Sequence, residues 1–294
     1  MIAIDPNSCR KHLLGMHFKA RQLIPALLLS LAGCSGLLLK PAPAHTEMPL
    51  PGGVDITYGN IASSTGCRLD YRVYSSVKVD DGDLVVLAHG FLRSQNRMRI
   101  LAATLADAGM RVATLDFCNS SPWDGRHAQN GLDMVALARA LGARRIVYAG
   151  FSAGGLAAVI AGRTDPTSVG IVTLDLVETQ GLGVRAATGL GKPLLGLAGE
   201  PTNCNALDNG KAVFAATDWA RVQRIEDANH CDFEAPTDRL CEFVCSKPSR
   251  TPRDPEENAK RAEIIASATL AVRSLLDGDG PASPGKGDWS RQAQ

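Results

Sequence analysis

The stretch from Arg145 to Ile160, RIVYAGFSAGGLAAVI, constrains the fold more than any other part of the chain. Arg145 to Tyr148 is a β-branched and apolar run that reads as a buried parallel strand. Gly155 to Gly162 reads as a small-residue helix pressed against a sheet. Only a tight turn through Phe151, Ser152 and Ala153 fits between them, and the turn has the pattern GxSxG. A serine on so sharp a strand-to-helix turn has strained backbone angles and no room for β-carbons beside it, a demand that Gly150 and Gly154 meet. Such a turn presents Ser152 Oγ at the end of a strand, where a nucleophile belongs. The competing reading is a Gly/Ser-rich turn in any doubly wound protein, so the rest of the chain must decide.

The flanking sequence repeats the strand–helix alternation. Residues 54–61 and 69–78 alternate apolar and polar side chains, as an antiparallel pair at a sheet edge would. Leu84 to Ala88 is a continuous apolar run and reads as a buried central strand, followed by a helix that Ser94 could cap and Gly109 could end. A strand over 111–117, a helix over 129–141, the Ser152 turn, strands over 169–177, 192–199 and 220–227 and a last helix opening at Asp254-Pro255 complete the pattern. Short links between alternating elements mean a mostly parallel sheet of about eight strands with helices on both faces. Glu178 to Gly191 is all that separates two of these strands, which leaves little material for a cap and implies an open cleft.

The ends of the chain read differently. Lys19 and Arg21 precede the apolar run Leu23 to Leu31, the order of a secretory signal over residues 1–33, with Met16 as a possible true start. The run is short for a membrane span. Leu31-Ala32-Gly33-Cys34 has the form of a lipobox, in which Cys34 is lipidated after cleavage; the alternative is an ordinary signal cut after Ala44 or a plain anchor helix. Residues 34–53 are rich in Pro and Gly and read as a tether, residues 54–276 as the folded domain, and residues 277–294 as a disordered tail. The expected location is therefore the cell envelope, held by lipid, with a secreted or periplasmic protein as the alternative. A net charge of +1 implies no nucleic-acid partner, and no obligate protein partner is evident.

Cys67, Cys118, Cys204, Cys231, Cys241 and Cys245 remain within the domain, an even number suited to an oxidising compartment. The expected pairing is Cys67 with Cys118, and the last four among themselves. A zinc site from His230, Cys231, Cys241 and Cys245 is the rival reading, but the spacing matches no common zinc pattern. No metal or cofactor is expected.

A serine hydroxyl is a weak nucleophile at neutral pH and needs a base, oriented by an acid. His12 and His17 lie in the leader, His45 in the tether, His89 in a strand-end loop and His127 at a helix start. His230 follows the last strand, downstream of Ser152, and is the candidate base. Three carboxylates sit in strand-end loops from which an acid could reach it: Asp175, Glu178 and Glu200. The backbone N–H groups of Phe91, after the central strand, and Ala153, after the serine, are candidate donors to a developing oxyanion.

HGFLRS, GFSAGG, LDLVE and the stretch from Glu200 to Cys245 resemble the chlorophyllase-like branch of the α/β-hydrolase superfamily, related to cutinases and dienelactone hydrolases, over roughly residues 55–275. Gly150 to Gly155 match that branch's GxSxGG. Its DPV-like acid motif corresponds to Asp175-Leu176-Val177, which lacks the proline. The resemblance implies an α/β-hydrolase fold, a cofactor-free serine ester hydrolase acting through an acyl-enzyme, and Asp175 as the acid. An acyltransferase on the same residues, or an inactive binding lipoprotein on the same fold, are the other classes.

Overall fold

The computed structural model describes residues 50–76, 82–118, 125–245 and 255–279. The leader with Cys34, the tether up to residue 49 and the tail from residue 280 lie outside the described residues.

The elements in chain order are β1 (Asp55–Ala62), β2 (Arg68–Ser75), β3 (Asp83–Ala88), α1 (Arg99–Asp107), β4 (Val112–Leu115), α2 (His127–Ala140) and β5 (Arg145–Phe151). They continue with α3 (Ala153–Thr164), β6 (Ser168–Leu174), α4 (Leu182–Ala187), β7 (Leu194–Ala198), α5 (Lys211–Ala215), β8 (Ala220–Arg224), α6 (Arg239–Cys245) and α7 (Pro255–Asp277). One 8-stranded sheet has the order β1-β2-β4-β3-β5-β6-β7-β8. β1 pairs antiparallel with β2 from Asp55 opposite Ser75 to Ala62 opposite Arg68, and β2 is antiparallel to β4. Every other pairing is parallel. This is the mostly parallel sheet that the alternation of elements implies.

Side chains of a strand alternate between its two faces, and the central strands are apolar on both. On one face Val85, Leu87, Val147 and Ala149 pack with Ile100 and Leu105 of α1 and Ile264, Ala268 and Leu275 of α7. On the other, Leu84, Val86, Ile146 and Tyr148 pack with Met134 and Leu137 of α2 and Leu156 and Val159 of α3. The two neighbouring strands β3 and β5 thus send their following helices to opposite faces. Their carboxyl ends form a topological switch point, the place where open α/β sheets carry a site.

Two local expectations need correction. The helix expected from Ser94 opens as a 3-10 turn over Gln95–Met98, and the Ser94 side chain makes no capping bond. The Asp116 carboxylate, 2.7 Å away, accepts from the Gln95 N–H instead, and its other oxygen accepts from the Gln95 side chain. α2 starts at His127, two residues before the expected Gln129, because Arg126 takes a left-handed conformation at φ 44°. The short helices α4 and α5 were not expected; neither is long enough to show a hydrophobic period. Among the described residues no helix is long and apolar enough to cross a membrane.

Candidate active site

The turn after β5 explains its own sequence. Ser152 has φ 54° and ψ −121°, a conformation that non-glycine residues rarely adopt. A Cβ on Gly150 would strike the Gly154 carbonyl, and one on Gly154 would strike the carbonyls of Ala88 and His89 at the end of β3. Both glycines therefore let α3 begin directly against β3 and β5. Gly90 packs so closely that its added Cβ would lie 3.3 Å from that of Ser152. The loop after β3 and the serine turn are in contact.

His230 lies in a 3-10 turn at 230–233, opened by Asn229, whose side chain accepts from the Cys231 N–H. Its Nε2 is 3.1 Å from Ser152 Oγ, and its Nδ1 is 2.6 Å from Asp175 Oδ2. A carboxylate can only accept, so Nδ1 carries the proton and the bare Nε2 faces the serine hydroxyl. The Phe151 ring supports the imidazole at a centroid distance of 4.6 Å. Ser152, Asp175 and His230 are all buried.

Asp175 is fixed from several directions. It follows β6 at φ 44° and its N–H donates to the Leu197 carbonyl at 2.7 Å. Its Oδ1 accepts from the Gly199 N–H at 3.0 Å, and both oxygens lie 3.2 Å from Asn205 Nδ2. Asn205, fully buried, also donates to the Glu200 carbonyl at 2.8 Å. No feature of the sequence pointed to Asn205, because its partners lie in the loops after β6 and β7 and its own stretch has no period.

The other two carboxylates are placed elsewhere. Glu178 Oε2 accepts from the Val184 N–H at 3.0 Å, which ties the loop after β6 to α4. Glu200 follows β7, with its N–H on the Ala228 carbonyl. Neither is bonded to His230 as Asp175 is. His89 is buried, donates from Nδ1 to the Gly90 carbonyl at 2.7 Å and accepts at Nε2 from the Phe117 N–H at 3.3 Å. Burial holds its pKa below the ordinary histidine value, against the raising effect of the Gly90 bond and of Asp116.

A cavity of about 270 Å³ opens beside Ser152 and His230. Its wall includes Gly90, Phe91, Leu92, Arg93 and Phe151 from one side and Leu240, Cys241, Val244 and Cys245 of α6 from the other. Leu240, Phe243 and Val244 of α6 are exposed. Arg93 donates to the fully buried Glu234 through Nε at 2.5 Å and Nη2 at 2.7 Å, and Asp238 lies 3.0 Å from the same guanidinium. Burial works against the Arg93 charge, but those bonds outweigh it and raise its pKa above an already high value.

The cysteines come together as Cys67 with Cys118, Cys204 with Cys245 and Cys231 with Cys241, their Cα atoms 6.3, 5.6 and 5.9 Å apart. All three separations fall inside the range of about 4.4–6.8 Å typical of bridged pairs. The sulfurs of Cys231, Cys241 and Cys245 lie within 4.8 Å of one another. Both nitrogens of His230 are engaged by Asp175 and Ser152, so it does not join them as a fourth metal ligand.

No protein-family model matches the chain, and no curated protein matches it. Solved structures do. A ferulic acid esterase from Streptomyces cinnamoneus superposes with a TM-score of 0.56 at 20% identity, over 83% of this chain and 94% of that one. The esterase domain of a Rhodothermus marinus protein gives 0.53 at 15% identity, over 76% and 98%. A Klebsiella pneumoniae protein described as a dienelactone hydrolase gives 0.53 at 15%, over 74% and 98%. Likeness at such identities speaks for the fold, and the fold is that of the α/β hydrolases.

Proposed function

We propose that this protein is an exported serine hydrolase of carboxylic esters, tethered to a membrane through lipid on Cys34. The observation that carries the catalytic part is the continuous chain Asp175–His230–Ser152, with its serine on a strained turn at the wall of a cavity. His230 Nε2 takes the hydroxyl proton as Ser152 Oγ attacks the ester carbonyl carbon, and Asp175 keeps the proton on Nδ1 and stabilises the imidazolium. The N–H groups of Phe91 and Ala153 receive the oxyanion of the tetrahedral intermediate. Its collapse breaks the C–O bond to the alcohol, which leaves with the proton from His230, and the acyl group stays on Ser152. Water then repeats the sequence with His230 again as base and frees the acid. No cofactor is needed for any step.

Export rests on the leader and on the six domain cysteines, which we take as three disulfides. The apolar wall formed by Phe91, Leu92, Leu240 and Val244 suits an ester with an apolar group. A p-nitrophenyl ester series from acetyl to palmitoyl, together with labelling by a fluorophosphonate probe, tests the reading. Turnover and labelling should both vanish in Ser152→Ala; intact protein that neither turns over any ester nor labels at Ser152 refutes it.

A further inference from the structure

The loop that bears Phe91 and the loop that bears His230 are joined by an ion pair between the partly buried Arg93 and the fully buried Glu234. Arg93 is two residues past Phe91 and Glu234 is four residues past His230, and the guanidinium grips the carboxylate through two nitrogens. The loop after β3 needs such a hold. Its Leu92 sits at φ 55°, where a leucine is strained, and the turn closes through the Arg93 N–H on the Gly90 carbonyl at 3.2 Å, an oxygen that His89 Nδ1 also engages. Stability alone does not account for charges drawn so far out of water, since an apolar pair of the same size often serves as well. What the pair supplies and an apolar pair lacks is a fixed, planar two-point geometry.

We propose that Arg93 and Glu234 are positioning residues that hold the oxyanion donor of Phe91 in register with His230 and Ser152. The proposal rests on the ester-hydrolase reading above. The strained turn carries the Phe91 N–H, Arg93 transmits the position of that turn to Glu234, and Glu234 fixes it to the segment that follows the base. The backbone runs the same way: Ala235 N–H donates to the Arg97 carbonyl at 2.9 Å and Ile100 N–H to the Ala235 carbonyl at 3.0 Å. Those two bonds anchor the start of α1, beyond the turn, whereas the Arg93 side chain acts on the turn itself. Asp238 supports the pair from outside, bonded to Arg97 at 2.6 Å.

The test compares Arg93→Lys, Glu234→Gln and the double variant Arg93→Met/Glu234→Met, with rates normalised to active sites titrated by a fluorophosphonate. The double variant keeps apolar bulk in place of the buried charges and should hold its melting temperature, which separates geometry from folding. Its kcat on p-nitrophenyl butyrate should fall about tenfold to a hundredfold with KM within about twofold, because a misplaced donor is felt in the transition state. Arg93→Lys should recover part of the loss in kcat. If the double variant folds and keeps wild-type kcat per titrated site, the positioning role is wrong while the hydrolase stands. If total activity falls only in proportion to the number of titratable sites, the pair is merely structural and the proposal is again overturned. Wild-type protein with no esterase activity overturns the underlying reading instead.

Discussion

Replacing Asp175 by Asn alters one atom of the side chain and should remove almost all turnover. The carboxylate takes the Gly199 N–H on Oδ1, the Asn205 amide across both oxygens and the His230 Nδ1–H on Oδ2. An asparagine has one oxygen for these donors and adds an NH2 of its own. With the oxygen toward Gly199, the NH2 faces His230, whose ring must then leave Nδ1 bare and carry its proton on Nε2, toward Ser152. The serine has lost its base. With the amide turned over, NH2 meets the Gly199 N–H, and at 1% exposure no water relieves the clash. A buried unsatisfied donor costs about 1–3 kcal/mol, so the first arrangement wins. The expected loss in kcat is on the order of 10⁴, as for the same change in a serine protease, or about 5.4 kcal/mol of transition-state stabilisation. Turnover of p-nitrophenyl butyrate by folded Asp175→Asn and Glu200→Gln is the assay, with Glu200→Gln expected within about twofold of wild type. Near-normal turnover in Asp175→Asn with loss in Glu200→Gln would move the acid to the loop after β7.

Other outcomes follow from the same geometry. Asn205→Leu strips Asp175 of its amide donor, and turnover should drop by about tenfold to a hundredfold on the scale of lost outer-shell contacts, read as kcat at constant melting temperature; unchanged kcat would reduce Asn205 to a loop brace. His89 has a folded pKa below its ordinary 6.5, so the unfolded chain takes the proton first and stability falls as pH drops through that value. Protonation would also set Nε2–H against the Phe117 N–H. The melting temperature should therefore decline from pH 7.5 to pH 5.5 more steeply in wild type than in His89→Gln, a window above the one in which the depressed Asp238 carboxylate titrates; equal slopes would contradict this. Cys34→Ala should block lipidation and release the protein from membranes, checked by intact mass and fractionation, and an unaltered mass would favour a cut near Ala44.

The parts of the fold that could be read from sequence are those whose signal is local. The sheet was legible because LVVLA, RIVYAGF and VGIVTL are apolar on both faces, and only strands buried on both faces need to be. The serine turn was legible because two glycines are required where α3 meets the ends of β3 and β5. The chain order Ser152, Asp175, His230 then narrowed the partners, and the structure brings those three residues into one hydrogen-bonded chain. Asn205 and the Arg93–Glu234 pair left no such trace. Their meaning lies in contacts across 30 and 141 residues, and a polar residue in a loop looks the same in sequence whether it faces water or a buried carboxylate. Ser94 misled for a related reason: a local capping rule gave way to a bond from Asp116, 21 positions from the Gln95 it engages.

Selectivity for the ester should reside in α6. Ser152, Asp175 and His230 are buried, whereas α6 contributes Leu240 and Val244 to the cavity and leaves both more than 60% exposed. Side chains with one face on a cavity and the other in water can cover a substrate that projects out of the site. A short acyl group reaches less of the cavity wall than a long one. A long one that follows α6 out of the 270 Å³ cavity passes Leu240 and Val244. Removing both apolar surfaces with Leu240→Ser/Val244→Ser therefore takes away contacts that only the longer ester makes. At about 25 cal/mol per Å² of apolar surface, partial loss of two such contacts corresponds to about 1–2 kcal/mol, roughly tenfold in kcat/KM. The double variant should lose about that factor on p-nitrophenyl palmitate relative to p-nitrophenyl acetate, with the acetate rate unchanged. If the ratio of the two rates stays at the wild-type value, long chains leave the site by another path and α6 has no part in choosing the substrate.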